Sequence, residues 1–324
     1  RRKKTTRATL RTPELLDALL EKRIVIVTGK GGTGKTTIST LVARKAAQQG
    51  QRVLLTEVGG AQQIPRLFGR PGTGYRVQSL EPNLDTFSIT PEESLEDYVV
   101  MQVRFKSIYR LVFRNRIIAP FMDAVPGLPD LMTLGKLFDL ERSTEKDGSP
   151  TYDLIVLDAP STGHALTLLQ SPQSMMEMTG AGPVHENAKD IHALFTNPAK
   201  TGLLLAAVPE TLPVNETIEL FEALGIQNKQ VAATVLNKAW PKPLSDLNAW
   251  DLARGALQSD DKHWNDCLSL CETSIQRALQ TDTAASTLRT KIDRPLIQLP
   301  ALPTRDMDTK HLTALQTALE EASP

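Results

Sequence analysis

Gly29-Lys30-Gly31-Gly32-Thr33-Gly34-Lys35-Thr36-Thr37 decides how this chain folds. It follows an apolar run, Ile24-Val25-Ile26-Val27, and precedes Ile38, Leu41, Val42 and Ala46 at helical spacing. Strand, glycine-rich turn and helix in that order are the context that makes such a string a phosphate-binding loop. The glycines let successive backbone N–H groups turn inward around phosphate oxygens, and the helix start adds the positive end of its dipole. In that geometry Lys35 reaches the β- and γ-phosphates and the Thr36 hydroxyl holds Mg²⁺. A nucleoside triphosphate with Mg²⁺ is the expected ligand.

Outward from the loop, short apolar runs alternate with helical patterns, as in a parallel sheet wound with helices. Strands are expected at Arg23–Thr28, Arg52–Glu57, Leu84–Ile89, Tyr152–Asp158, Gly202–Val208, Gln230–Leu236 and Pro295–Leu299. Several are unbroken runs of Val, Ile and Leu, which suits strands covered on both faces. The expected fold class is α/β: a doubly wound, mostly parallel sheet of P-loop NTPase type with an inserted helical subdomain. Residues 1–20 read as a basic arm and short helix, and 21–324 as the P-loop domain. Its helical insertions fall at about 91–148 and 171–198. No internal repeat is visible, which excludes a tandem duplicated ATPase.

The first insertion separates the third and fourth strands by more than sixty residues, far beyond an ordinary crossover. Tyr98, Met101, Phe105, Ile108 and Val112 recur there at spacings of three and four. The other faces carry Arg104, Lys106, Arg110, Arg114 and Arg116. Pro126-Gly127-Leu128-Pro129 breaks the chain before a second helix through Leu131, Leu134, Leu137 and Phe138. The second insertion follows Leu169 and contains Met175, Met176 and Met178, then Gly180, Gly182 and Pro183. Methionine suits both a surface that accepts varied apolar partners and an ordinary core or interface.

The chain has 324 residues, and Lys plus Arg (37) balances Asp plus Glu (37), so net charge gives no reason to expect a specific nucleic acid. Arg1, Arg2, Lys3, Lys4, Arg7 and Arg11 break the balance locally, as a solvated arm or a peripheral contact with an anionic membrane would. Position 1 is Arg and not Met, which leaves room for residues upstream. No run approaches the roughly 18 apolar residues of a membrane span. Cys267 and Cys271 are the only cysteines, which rules out a disulfide framework and points to a reducing, cytoplasmic setting. Four apart, they share one helix face, and completing a zinc site would need a second pair across a dimer.

Tyr152-Asp153-Leu154-Ile155-Val156-Leu157-Asp158 is an apolar strand ending in a carboxylate. Beside a P-loop that Asp158 orients Mg²⁺ through a water, and Ala159-Pro160-Ser161-Thr162-Gly163-His164 forms a loop able to sense the γ-phosphate. Lys35 already serves the loop's own nucleotide, so Lys30 needs another task. The loop resembles the deviant Walker A group. There the extra lysine crosses a dimer interface and supplies transition-state charge to the partner's phosphates, as an arginine finger does.

Downstream the resemblance narrows. Asp158 to Leu169 is similar to the second switch of the arsenite-pump and tail-anchored-protein-targeting ATPases. Val208-Pro209-Glu210-Thr211-Leu212-Pro213-Val214-Asn215-Glu216-Thr217 and Pro126-Gly127 resemble two further elements of that family. The chain is identified as resembling this family from about Arg23 to its C-terminus, in particular its bacterial anion-transporting-ATPase-like members. The resemblance implies ATP as the nucleotide. It makes Asn237, at the end of Val235-Leu236-Asn237-Lys238, the adenine-reading residue, with Pro300 in the loop that packs on the base. A carboxamide can donate to and accept from a base edge, although Asn also suits a strand-end turn.

Two departures stand out. The family's first switch carries an Asp that positions the attacking water; here Gly59 takes its place in Thr56-Glu57-Val58-Gly59-Gly60-Ala61-Gln62. Period-two geometry points Glu57 and Gly59 to the same face, which offers Glu57 as a partial substitute in catalysis. Slow hydrolysis is expected, with binding intact. The family's C-x-x-C pair is also absent, so zinc is not expected, and two thiols do not make an arsenite site. Three functions follow. The first is a dimeric ATP-driven switch, homodimer or heterodimer with a paralogue, whose helical subdomain holds an apolar client helix or lipid-like ligand, in the manner of a targeting chaperone. The second is a Min/Par-type positioning ATPase on membrane or DNA. The third is a pseudo-ATPase subunit.

Overall fold

Ile24 and Ile26 face one side of β1 (Ile24–Gly29), Val25 and Val27 the other, and all four are fully buried. That alternation within an unbroken apolar run requires a helical layer on each face of the sheet. The computed structural model describes residues 12–321 except 73, 103–124, 243–249, 251–256, 258–260 and 305. The basic arm of residues 1–11, Phe105, Ile108 and Val112, and the Arg104–Arg116 stretch lie outside the described residues.

Among the described residues, eight strands form one sheet in the order β3-β4-β2-β5-β1-β6-β7-β8. They are β1, β2 (Val53–Val58), β3 (Gln78–Glu81), β4 (Leu84–Ile89), β5 (Leu154–Asp158), β6 (Thr201–Ala207), β7 (Val231–Ala239) and β8 (Leu296–Pro300). All neighbours pair in parallel except β3, which runs antiparallel to β4 at the edge. The seven expected strands are present, with bounds that differ by no more than three residues. The edge strand was not expected, because Gln78-Ser79-Leu80-Glu81 has a single buried apolar residue, Leu80.

One face is covered by α1 (Thr12–Leu20), α2 (Lys35–Gln48) and α10 (Thr309–Glu321). Leu15, Leu16, Leu19 and Leu20 of α1 and Leu312, Leu315 and Leu319 of α10 are buried in the core they share with α2. The short α3 (Gln63–Leu67) follows β2. The opposite face carries α4 (Pro91–Gln102), α5 (Leu128–Arg142), α6 (Thr162–Thr179), α7 (Pro183–Phe195) and α8 (Thr211–Ala223). The long α9 (Lys262–Lys291) lays only its C-terminal half on the sheet, through Ala284, Ala285 and Leu288 against Leu236 and Leu296.

Gly127, at φ 76°, opens α5 after Pro126, as the sequence suggested. Helix α6 runs unbroken through Leu169 and through the buried Pro172. Pro172 sits inside the helix rather than ending it. Of the three methionines there, Met175 is buried, Met176 half-buried and Met178 59 % exposed.

Between α4, α5, α6 and α7 lies a cavity of about 430 Å³. Leu95, Leu131, Met132, Phe138, Met175 and Ile191 give it an apolar lining, with Lys136 and Arg142 among the polar residues.

Candidate functional site

Gly29 ends the central strand, between β5 and β6, and the chain then wraps into the start of α2. The carboxyl edge of such a strand, where neighbouring connections diverge, is where open α/β sheets bind ligands. Gly29 packs so closely on β6 that a Cβ there would lie 2.2 Å from the Ala206 carbonyl oxygen. Gly32 and Gly34 take left-handed φ values of 84° and 86°, which turn the backbone into a cradle. Within it the Thr33 hydroxyl donates to the Lys30 carbonyl at 2.8 Å, and Lys35 Nζ donates to the same oxygen at 3.3 Å.

Asp158 stands beside this loop. β5 pairs with both β1 and β2, so Asp158 is in register with Val27 on one side and Glu57 on the other. The Thr36 hydroxyl donates to Asp158 Oδ2 at 2.6 Å. The other oxygen, Oδ1, is buried without a hydrogen-bond partner among the described residues. A buried carboxylate oxygen with spare acceptor capacity beside a threonine hydroxyl is a donor set for a hard, hydrated cation, so Thr36 and Asp158 fit Mg²⁺.

Electrostatics agree with that fit. Burial pushes the Asp158 carboxyl up to about 6, against the opposing Thr36 hydrogen bond and the nearby Lys35. Burial also lowers Lys35, with Asp158 working the other way. A bound divalent cation would hold Asp158 ionised, and phosphate oxygens would hold Lys35 charged.

Glu57 is 5 % exposed at the end of β2. Its Oε2 accepts from the Gln63 backbone N–H at 2.9 Å, at the start of α3, and burial raises its pKa with Asp158 adding to the rise. Gly59 is not an extension of β2: the strand ends at Val58 and Gly59 turns at φ 89°. The expectation that Glu57 and Gly59 share a strand face therefore fails, because the backbone leaves the extended region at Gly59 itself. Gly59 N–H donates to Ile89 O at 2.8 Å, and the Ser88 hydroxyl donates to Gly59 O at 2.9 Å.

Asn237 is brought to the loop from β7. Its Nδ2 donates to the Thr33 carbonyl at 2.9 Å and its Oδ1 accepts from Lys238 N–H at 2.9 Å. A Cβ at Gly34 would lie 2.1 Å from that Nδ2. The carboxamide thus braces the phosphate loop, a contact the sequence reading had not foreseen. Pro300 closes β8 in register with Ala239 of β7, three strands out from β1.

Lys30 finds a partner in its own chain. Its Nζ donates to Glu216 Oε1 on α8, and Glu216 Oε2 accepts from the Thr162 hydroxyl at 3.4 Å. Glu216 lies within the Val208–Thr217 stretch that resembles the family, where sequence alone assigns it no role of its own. Cys267 and Cys271 are both exposed, one turn apart on α9. Among the described residues no helix is long and apolar enough to cross a membrane.

Residues 22–182 match the family model described as Anion-transporting ATPase. The chain is 30% identical over 243 residues to the ATPase BagA of Mycobacterium tuberculosis, covering 74% of this chain and 71% of that protein. It is 25% identical over 259 residues to the ATPase GET3 of Lachancea thermotolerans, covering 69% and 74% of the two chains. A Halobacterium salinarum protein, provisionally named an arsenical pump-driving ATPase, is 28% identical over 234 residues, 67% of this chain and 36% of that one.

Proposed function

Because the chain belongs to the anion-transporting ATPase family, we propose that it is a dimeric, ATP-driven switch whose helical subdomain holds an apolar client. Membership makes it an ATPase of this family. The dimer, the client and the residue roles are the proposal. The backbone of Gly29 to Thr37 and the Lys35 ammonium hold the phosphates, Thr36 and Asp158 hold Mg²⁺, and Lys30 reaches the triphosphate of a second subunit. Asn237 keeps the loop in shape and, with one further N–H and one further lone pair on its amide, reads adenine beside Pro300.

One observation carries the link between nucleotide and client. Helix α6 starts at Thr162, four residues beyond Asp158, and its Met175 lines the cavity among α4, α5, α6 and α7. A single rigid element spans both places, so a shift at its first turn moves the cavity wall. The insertions at about 91–148 and 171–198 then act as the client-holding subdomain, and an apolar helix or acyl chain suits the lining.

The reading is tested with the full chain, Mg²⁺ and a fluorescently labelled leucine-rich helical peptide. Peptide affinity is expected to change on adding ATP and to stop responding in Lys35→Ala. Affinity indifferent to ATP in the parent chain would overturn it.

A second reading, an ATP-binding subunit that hydrolyses only beside a paralogue, is favoured by Gly59 and by the engagement of Glu57 with the α3 start. Tight ATP binding with no turnover in the isolated chain would select it. A positioning ATPase with a C-terminal membrane helix is disfavoured, because the leucines of α10 are buried against α2 and the sheet.

A further inference from the structure

The carboxylate of Glu216 gathers three segments that lie far apart in sequence. It accepts from Lys30 at the front of the phosphate loop, 186 positions away, and from Thr162, the first residue of α6. Glu216 itself rides on α8, whose buried residues are Pro213, Val214, Thr217 and Leu220. Nothing in that packing calls for an acid. From Thr211 to Thr217 it is also the helix's only charged residue. The Lys30 and Glu216 side chains keep 30 and 27 % of their exposure, so the pair is near enough to solvent to exchange partners.

We infer that Glu216 is a positioning residue: it holds the Lys30 ammonium within its own subunit, and Lys30 engages a second subunit's phosphates by exchanging that carboxylate for phosphate oxygens. This rests on the dimeric reading above. The competition is electrostatic. An ammonium already facing a carboxylate has its charge offset, and a triphosphate brought to the same place meets the repulsion of Glu216. The second oxygen of the same carboxylate accepts from Thr162, so the side chain that restrains Lys30 also touches the first turn of α6. Restraint of the lysine and a hold on α6 meet in one side chain, through its two oxygens.

Glu216→Gln keeps the shape and removes the charge, while Lys30→Ala and the double variant complete a cycle that isolates the pair. The full chain is followed by sedimentation velocity with Mg²⁺ and a hydrolysis-resistant ATP analogue, with thermal unfolding as a check on folding. Glu216→Gln is expected to lower the protein concentration at half-dimer by about fivefold, the size set by a partly exposed ion pair. In the Lys30→Ala background the same substitution should change nothing. A weaker dimer in Glu216→Gln would make the carboxylate part of the engaged state and overturn the inference. An equal gain with and without Lys30 would overturn it too, by reducing Glu216 to a bulk charge. If Lys30→Ala dimerises like the parent, the dimeric reading itself falls and takes this inference with it; if only the Glu216 result fails, that reading stands.

Discussion

At the scale of residues, Asp158 gives the sharpest expectation. Its carboxyl rises from the ordinary 3.8 to about 6 because it is buried. The folded chain therefore keeps a proton that the unfolded chain releases in between. The stability this confers is full below pH 3.8 and is lost as pH climbs through 6, by about 3 kcal/mol in all. Asp158→Asn, which does not titrate, should lack that loss in thermal melts between pH 4 and 7. Cation binding follows the opposite sign, because only the ionised carboxylate attracts Mg²⁺. Calorimetry of Mg²⁺-nucleotide binding should show affinity rising through pH 6 in the parent and a weak, flat profile in Asp158→Asn. The loop glycines divide just as clearly. Gly29→Ala drives a Cβ to 2.2 Å from backbone and should cost about 3 kcal/mol or more. Gly31→Ala has open space, so its melt should stay within about 0.5 kcal/mol of the parent.

At the scale of elements, what was legible depended on how locally each signal was written. The phosphate loop and Asp158 could be read because each follows an unbroken apolar strand, and strand ends fall on one edge of a parallel sheet. Strand β3 could not, since a short polar edge strand buries one leucine and leaves no periodicity. Helix α6 was not delimited from sequence, because Pro172 interrupts its pattern; burial of Ser171, Pro172 and Met175 carries the helix through. Gly135 offers a test of the helical layer. It lies inside α5 on the cavity wall, where an added Cβ meets Ile191 Cδ1 at an ordinary 3.7 Å. Gly135→Ala should stabilise by about 1 kcal/mol, visible as a rise of about 2 °C in Tm, with nucleotide binding unchanged. A drop in Tm would mean that the layer tolerates no added volume.

At the scale of the whole molecule, the sheet gathers side chains that no window of sequence could have associated. Lys30 and Glu216 meet because β6, which leads into α8, lies directly beside β1. Asn237 reaches the loop because β7 is the next strand out, and its bracing contact with Thr33 depends on that order. The apolar faces of α1 and α10 are buried in one core cluster and those of α4 to α7 in the other, on opposite faces of the sheet. The central question is whether the ammonium at the front of the loop acts between subunits. Sedimentation velocity of the full chain, saturated with Mg²⁺ and a hydrolysis-resistant ATP analogue, addresses this most directly. A dimer that depends on the analogue and disappears in Lys30→Ala is expected. A parent chain that remains monomeric, or a variant that dimerises equally well, would contradict it.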